Sequence, residues 1–249
     1  MIRDYKAETE NRVEFIRRLL DDSGARGIVF GNSGGKDSAL TGILCKKACA
    51  DTVGLIMPCC TTCNYCDDMS DAEAIAEQFG IETRSVDLTK TYEVMHLALT
   101  ASAEITASAT LNIAPRLRMT ALYAVAASES RIVAGTSNRS ERYMGYYTKW
   151  GDGAFDFNPI ADLTVTEILE FLRHLGAPDR IIDKAPSGGL FDGQTDEDDM
   201  GITYASIDGF LLNGQCAPEA MEIIARYHRT SGHKRKAPKA YGVSGEDTV

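Results

Sequence analysis

The chain has 249 residues, 44% of them hydrophobic, and a formal net charge of −10. A strongly acidic chain repels a phosphate backbone, so this composition argues against a nucleic-acid partner. No apolar run approaches the roughly 20 residues that a membrane-spanning helix needs, and the charged N-terminus is unlike a signal peptide. We therefore expect a cytoplasmic protein that binds neither nucleic acid nor a membrane.

Hydrophobic spacing predicts that helices alternate with short buried strands along the first half of the chain. A helix opens the chain over residues 12–20. The predicted strands cover residues 27–31, 53–57, 81–86 and 131–135. The other predicted helices cover residues 36–50, 67–79, 112–128 and 218–227. Past residue 135 the pattern becomes less regular, and we expect loops around residues 187–201, including a mobile acidic loop at Asp198 and Asp199.

This alternation is typical of an α/β fold with a doubly wound, mainly parallel sheet and helices on both faces. No composition shift marks a boundary, so we expect one domain over residues 1–249. Ligands of such sheets bind beyond the carboxyl ends of the strands. The site is therefore expected on the loops after Gly31, Met57, Val86 and Gly135.

The turn after the first strand is rich in glycine and polar residues: Gly31, Asn32, Ser33, Gly34, Gly35, Lys36, Asp37 and Ser38. Backbone N–H groups of such a turn can surround an anion at the start of a helix. A carboxylate within a phosphate cradle is repulsive unless a cation intervenes, so Asp37 suggests a Mg²⁺ ligand. The alternative is a turn that is rich in glycine for steric reasons alone.

The same string resembles the SGGxDS signature of the ATP pyrophosphatase superfamily, whose members share an adenine nucleotide alpha hydrolase-like fold. Further strings resemble the ammonia-dependent NAD⁺ synthetase family in particular, and they cover residues 112–119, 135–159 and 233–235. The resemblance extends from the first strand to about Pro238. It implies that ATP-dependent adenylation of the nicotinate carboxylate of deamido-NAD⁺ precedes amidation by ammonia, giving NAD⁺, AMP and pyrophosphate.

The resemblance also implies a role for individual residues. ATP would be bound by Gly31, Asn32, Ser33, Gly34, Gly35, Lys36, Asp37, Ser38, Thr136, Lys184 and Ser187. Deamido-NAD⁺ would be bound by Arg116, Lys149, Asp156, His233 and Lys234. The cofactor would be Mg²⁺, held by Asp37 and Glu141, and the implied assembly is a homodimer.

One position departs from the family pattern. Where many bacterial members have a lysine that contacts ATP, this chain has Val165, and Lys184 is the residue that could replace it. Asp37 and Lys184 are accordingly the predicted catalytic residues. Because a glutamine-using enzyme needs an added amidase domain, for which 249 residues leave no room, ammonia is the expected nitrogen source.

Less specific interpretations remain open for several of these residues. Glu141 and Asp156 could be solvated loop carboxylates, and Lys149 and Lys184 could be surface lysines. The basic run 233–236 could be a solvated tail, as charge runs usually are.

A cysteine cluster follows the second strand. Cys59 is followed by Cys60, Cys63 and Cys66, and the spacing of the last three could bind zinc or an iron–sulfur cluster. The alternative function is therefore a tRNA-thiolating enzyme of the same superfamily, although the acidic chain does not suit an RNA substrate. Adenylation and attack by ammonia use no thiolate, so we expect Cys60, Cys63 and Cys66 to be dispensable for amide formation.

Overall fold

The computed structural model describes residues 3–59, 65–184, 195–239 and 241, with residues 65–68 given by their backbone. The strands of this part are β1 (Gly27–Gly31), β2 (Thr52–Ile56), β3 (Glu82–Ser85) and β4 (Arg131–Ala134). They form a parallel sheet in the order β3-β2-β1-β4. The predicted strands are confirmed, with each boundary within one residue, and the carboxyl ends of β1, β2 and β4 meet at one edge.

Helices connect and follow these strands, and in the described residues none is long and apolar enough to cross a membrane. Those up to β4 are α1 (Tyr5–Ser23), α2 (Lys36–Ala48), α3 (Tyr65–Phe79), α4 (Thr89–Thr100), α5 (Ala107–Leu111) and α6 (Ile113–Glu129). Those after β4 are α7 (Arg139–Met144), α8 (Val165–Leu175), α9 (Asp179–Ile182), α10 (Asp196–Met200), α11 (Tyr204–Asn213) and α12 (Pro218–Thr230). A 3₁₀ turn covers Gly232–Lys234.

The central strand β1 shows how both faces of the sheet are covered. Because side chains alternate along a strand, Ile28 and Phe30 face one side while Val29 faces the other. The first two lie in an apolar cluster with residues of α2, α3 and α8. Val29 lies in a separate cluster with Val53, Val133 and residues of α4 and α6. Helices on both faces of a parallel sheet confirm the predicted doubly wound α/β class.

The opening helix begins earlier than the predicted residue 12. The side chain of Asp4 accepts hydrogen bonds from the N–H groups of Lys6 and Ala7, which caps α1. The buried Arg12 then joins the helix to the segment before α8, because its guanidinium donates to Asp162 Oδ1 at 2.7 Å and to Oδ2 at 2.9 Å. This ion pair ties the start of the chain to residues that follow the sheet.

Past residue 135 the predicted helix over residues 218–227 is confirmed as α12, but the structure is more regular than expected, because α7 to α11 were not predicted. Helix α8 is strongly amphipathic, and it begins with a capping box in which Thr164 N–H donates to Glu167 Oε2 at 2.9 Å. The predicted acidic loop is wrong, since Asp198 and Asp199 lie in α10. Asp198 Oδ2 accepts from the Thr195 N–H at 3.1 Å and so belongs to the cap of that helix. Residues 187–194 of the predicted loop lie outside the described residues.

Candidate functional site

The glycine-rich turn joins β1 to α2. Gly34 has a φ of +78°, in the left-handed region that favours glycine, and Gly35 is the N-cap residue of α2. The Ser33 and Ser38 hydroxyls lie 3.1 Å apart, and the Gly35 N–H donates to Ser33 Oγ at 3.3 Å. The turn therefore gathers backbone N–H groups and two hydroxyls at the N-terminus of a 13-residue helix, which is the arrangement that binds phosphate.

Asn32 has a structural role within this turn. It is 2% exposed, and its side-chain amide donates to the Ala72 carbonyl of α3 at 3.1 Å. Its N–H donates to the Leu55 carbonyl of β2 at 2.9 Å. These bonds hold the glycine turn against the neighbouring strand and helix, and the ATP contact of Asn32 stays a prediction.

Asp37 lies in the first turn of α2 between two donors. Its Oδ2 accepts from Lys36 Nζ at 2.8 Å, and its Oδ1 accepts from Asn138 Nδ2 at 3.0 Å. Lys36 is 7% exposed, and burial lowers its pKa, but the carboxylates of Asp37 and Glu141 outweigh that effect and raise it. Lys36 is therefore a buried ammonium held among carboxylates.

Glu141 faces Asp37 from the first turn of α7. The Asn138 side chain accepts from the Glu141 N–H at 2.9 Å, and Glu141 Oε2 accepts from the Asn138 N–H at 3.1 Å. Loss of hydration raises the pKa of Glu141 well above its ordinary value, and the negative charge of Asp37 adds to this, against the opposing effect of Lys36. Asn138 thus links both predicted metal ligands, and Glu141 is not a solvated loop carboxylate.

Asp196 and Tyr204 extend this acidic site and are not among the predicted site residues. Both are buried, and the Tyr204 hydroxyl donates to Asp196 Oδ2 at 3.2 Å. The ammonium of Lys36 lies 5.6 Å from the centre of the Tyr204 ring. For Asn138 the sequence did hold a signal, because Asn138 and Glu141 have the spacing of a capping box. Asp196 and Tyr204 have no such local spacing, because they come near Lys36 only where α10 and α11 pack beside the glycine turn.

The carboxylates fit Mg²⁺ that binds together with ATP. Among the described residues no three His, Cys, Asp or Glu side chains form a group that could hold a metal ion alone. Protein sites for Mg²⁺, however, commonly supply only one or two carboxylates, and substrate phosphates and water complete the octahedron. Asp37 and Glu141 repel each other at the end of a phosphate-binding turn, and a divalent cation would neutralise both.

Three of the residues predicted to bind deamido-NAD⁺ are joined by hydrogen bonds. Arg116 Nη2 of α6 donates to the Lys149 carbonyl at 3.4 Å, and Lys149 Nζ donates to the His233 carbonyl at 2.9 Å. Arg116 and His233 are exposed, and Trp150 beside them is 52% exposed. The structure therefore brings together residues from three distant parts of the chain, and Lys149 is not a freely solvated lysine.

Lys234 and Asp156 are held by backbone groups. Lys234 Nζ donates to the carbonyls of Gly145 and Tyr147 at 2.7 and 2.6 Å. Burial lowers the pKa of Lys234, and Asp152 opposes that effect. Asp156 Oδ2 accepts from the Val133 N–H of β4 at 2.7 Å. The basic run near residue 234 is thus no solvated tail, and Asp156 also supports the edge strand.

The remaining predicted ATP contacts are distributed over several loops. Thr136 is half-buried on the loop after β4, at the same sheet edge as the glycine turn. Lys184 Nζ donates to Asp71 Oδ2 at 2.6 Å, so it is not a solvated surface lysine either. Ser187 lies outside the described residues. Val165, at the position of the family lysine, is 4% exposed and packs in an apolar cluster with Met144 and Met200.

The cysteine cluster lies mostly outside the described residues. This holds for Cys60 and Cys63, and Cys66 is described by its backbone, as part of α3. Cys59 is described, and it is 1% exposed in the apolar cluster that contains Val29. The predicted dispensability of the other three cysteines stays a prediction.

Comparison with known proteins gives consistent matches over nearly the whole chain. The family model described as NAD synthase matches residues 8–238. The NH₃-dependent NAD⁺ synthetase of Carboxydothermus hydrogenoformans is 43% identical, over 95% of this chain and 97% of that relative. A solved structure of NMN synthetase from Francisella tularensis has a TM-score of 0.91 at 39% identity, with 97% and 100% of the two chains covered. The NH₃-dependent NAD synthetase of Campylobacter jejuni, solved with nitrate, has a TM-score of 0.78 at 28% identity, covering 96% and 99%.

Proposed function

Since the chain belongs to the NAD synthase family, we propose that it is an ammonia-dependent NAD⁺ synthetase, a ligase that forms a C–N bond. It converts ATP, deamido-NAD⁺ and ammonia into NAD⁺, AMP and pyrophosphate. The observation that carries this proposal is the pair Asp37 and Glu141, linked through Asn138 beside the buried Lys36 at the glycine turn. An anion-binding turn with two carboxylates next to it is suited to bind a nucleoside triphosphate as its Mg²⁺ complex.

The first half-reaction makes the carboxylate reactive. A nicotinate oxygen attacks the α-phosphorus of ATP, the bond to the β-phosphate oxygen breaks, and pyrophosphate leaves. The turn formed by residues 31–38 binds the pyrophosphate, and Lys36 balances its charge. Asp37 and Glu141 would hold Mg²⁺, which supplies further charge neutralisation. Thr136, Lys184 and Ser187 complete the proposed ATP contacts.

The second half-reaction forms the amide. Ammonia attacks the carbonyl carbon of the acyl-adenylate, the C–O bond to AMP breaks, and the nitrogen releases a proton. Arg116, Lys149 and His233, which the structure joins, support the proposal that this surface binds deamido-NAD⁺. Lys234, which follows His233 and donates to the Gly145 and Tyr147 carbonyls, and Asp156 complete the proposed deamido-NAD⁺ contacts. The protein mainly positions the reactants, because phosphoryl and acyl transfer are accelerated most when the reacting groups are held in the right geometry.

Nitrogen source and product test this function directly. We expect purified protein with ATP, Mg²⁺ and deamido-NAD⁺ to form NAD⁺ and pyrophosphate with ammonium, and at least about 100-fold less with the same concentration of glutamine, because adenylates react with free amines and amides are poor nucleophiles. The measurement is NAD⁺ by enzymatic cycling, with pyrophosphate release assayed in parallel. Replacement of deamido-NAD⁺ by tRNA is the control. Equal use of glutamine, or pyrophosphate release that depends on tRNA, would contradict the proposal.

A second candidate substrate is the mononucleotide. The TM-score of 0.91 with the structure named NMN synthetase, against 0.78 for the one named NAD synthetase, favours testing it. The chemistry at the carboxylate is the same, so the two candidates differ only in whether an adenylate half is bound. The ratio of kcat/KM for deamido-NAD⁺ to that for nicotinate mononucleotide decides between them, and the first candidate requires a ratio above one.

The proposed assembly is a homodimer. Helices α4 and α5 have no buried residue, and on α4 Val94 and Leu97 are 68% and 71% exposed. Because residues three apart share a face of a helix, Val94 and Leu97 form one apolar surface. Such a surface is costly to leave in water, and a second copy of the chain would cover it.

We expect Leu97→Lys to convert the dimer into a monomer, because a lysine in the centre of an apolar interface leaves a charge without water or a partner. Size-exclusion chromatography with light scattering measures the mass of wild type and variant. Leu212→Lys, at a leucine of α11 that is 43% exposed, is the matched control and should keep the wild-type mass. A wild type that is monomeric, or a Leu97→Lys variant that is dimeric, would refute the assignment.

We further propose that residues 1–249 form a single NAD synthetase domain that acts in the cytoplasm. The family match over residues 8–238 supports one domain.

A further inference from the structure

A buried carboxylate links α3 to the end of α9. Asp71 is 8% exposed, and its Oδ2 accepts from Lys184 Nζ at 2.6 Å. Its Oδ1 lies 3.2 Å from Arg180 Nε, and Arg180 Nη2 donates to the Ser70 carbonyl at 3.0 Å. Each oxygen of Asp71 thus faces one cation, so the carboxylate is fixed in orientation as well as in position.

The same stretch of α3 holds the phosphate-binding turn. The residue after Asp71 is Ala72, whose carbonyl accepts the hydrogen bond from the buried Asn32 side chain. Asn32 belongs to the glycine turn at the end of β1, and Asp71 and Lys184 lie 113 residues apart in sequence. A short path of contacts therefore runs from the phosphate turn through α3 to the Lys184 ammonium.

Lys184 lines an open depression of the surface. This depression, of about 410 Å³, is also lined by Ser70, Asp71, Arg180 and Asp183. The Lys184 side chain is 30% exposed there, against 12% for Asp71. The lysine can therefore meet a ligand while the carboxylate behind it stays covered.

We propose that Asp71 is a positioning residue that holds Lys184 in reach of the ATP phosphates, which rests on the proposed function of Lys184. A lysine side chain has four rotatable carbon bonds, and ordering it for one ligand contact costs rotamer entropy. A buried carboxylate that already orients the ammonium removes most of that cost before ATP binds. Asp71 is tied through Ala72 to the phosphate turn, so it fixes Lys184 relative to the turn that binds the same substrate.

The opposite arrangement would be a carboxylate that competes with ATP for Lys184. In that case loss of the Asp71 charge would strengthen ATP binding, whereas loss of a positioning residue weakens it. The sign of the change in the KM for ATP therefore separates the two.

The test uses the full chain with Asp71→Asn, assayed for NAD⁺ formation at varied ATP and saturating deamido-NAD⁺ and ammonium. We expect the KM for ATP to rise about tenfold, and the KM for deamido-NAD⁺ to stay within about twofold. Asp71→Glu, which keeps the charge, should recover part of the loss. Glu73→Gln, an exposed carboxylate of the same helix, is the control and should behave as wild type.

A double-mutant cycle with Lys184→Ala separates positioning from a general structural role. In the Lys184→Ala background, Asp71→Asn should change the KM for ATP by less than about twofold, because the group that it positions is gone. A lowered KM for ATP in Asp71→Asn, or the same tenfold rise in both backgrounds, would overturn the inference. If Asp71→Asn does not fold, Asp71→Ser, which also removes the charge, is compared in both backgrounds.

Failure of the inference is distinguishable from failure of the function on which it rests. If Lys184→Ala binds ATP as wild type does, the proposed ATP contact of Lys184 is wrong, and Asp71 has nothing to position. If Lys184→Ala raises the KM for ATP and Asp71→Asn does not, only the positioning role is refuted.

Discussion

Asp37→Asn should lower kcat by on the order of 10³-fold while the protein stays folded, the range expected when an electrostatic group of the transition state is removed. The change removes one negative charge and keeps the size of the side chain. Lys36 Nζ and Asn138 Nδ2 both donate to position 37, and the single oxygen of an asparagine can still accept from one of them, so the hydrogen-bonded frame survives in part. What is lost is a charged ligand for Mg²⁺, and with it the neutralisation of the phosphates during attack.

The measurement for this variant is NAD⁺ formation across a Mg²⁺ titration, with thermal unfolding followed by circular dichroism. The Mg²⁺ concentration for half-maximal rate should rise as kcat falls. Asp22→Asn, which changes an exposed carboxylate of α1, should leave both quantities unchanged. Wild-type activity and metal dependence in Asp37→Asn would remove Asp37 from the proposed metal site.

Glu141→Gln should lower kcat by at least about 100-fold and at the same time raise the melting temperature of the metal-free protein. The raised pKa of Glu141 shows that its charge is unfavourable in the folded state, because it loses hydration and faces Asp37. A neutral glutamine removes the repulsion, and its side-chain oxygen can still accept the hydrogen bond from the Asn138 N–H. The negative charge of Glu141 would thus be required for catalysis although it lowers the stability of the folded protein.

The thermal measurement is made in EDTA so that bound metal does not mask the repulsion, and the expected rise is about 2 °C or more for a chain of this size. Glu77→Gln, at an exposed carboxylate of α3, should shift neither activity nor melting temperature. A lower melting temperature for Glu141→Gln would show that its charge is satisfied in the fold. An unchanged kcat would show that it is no part of the catalytic site.

Patterns that are local in the sequence predicted the sheet and the phosphate-binding turn. Strands β1, β2 and β4 are short, mainly apolar runs, and such runs mark buried strands wherever the rest of the chain lies. Strand β3, at the edge of the sheet, is polar and has no buried residue. The turn from Gly31 to Ser38 carries its own geometry, since glycine at position 34 permits a φ of +78° and a helix follows directly. Strand boundaries and the site edge could therefore be derived without any tertiary contact.

In the second half of the chain the local sequence pattern failed to predict several helices. Helices α7, α9 and α10 have 6, 4 and 5 residues, too few for a hydrophobic period to be read. Helix α4, in the first half of the chain, was not predicted either, because none of its 12 residues is buried and Tyr92 packs only partly against the core. Helix α8 could have been predicted from the sequence, because Thr164 and Glu167 have the spacing of a capping box before an amphipathic run.

The sequence by itself determined the fold class, the phosphate turn and the identity of its charged residues. Only the tertiary structure decided which of them meet. Asn138 lies 101 residues from the Asp37 that it contacts, and Lys184 lies 113 residues from Asp71. Such contacts depend on how whole helices pack against the sheet, and the energy of packing is shared among many side chains rather than carried by any short segment. The local sequence therefore indicates which chemistry each side chain can perform, while the fold decides which other side chains it contacts.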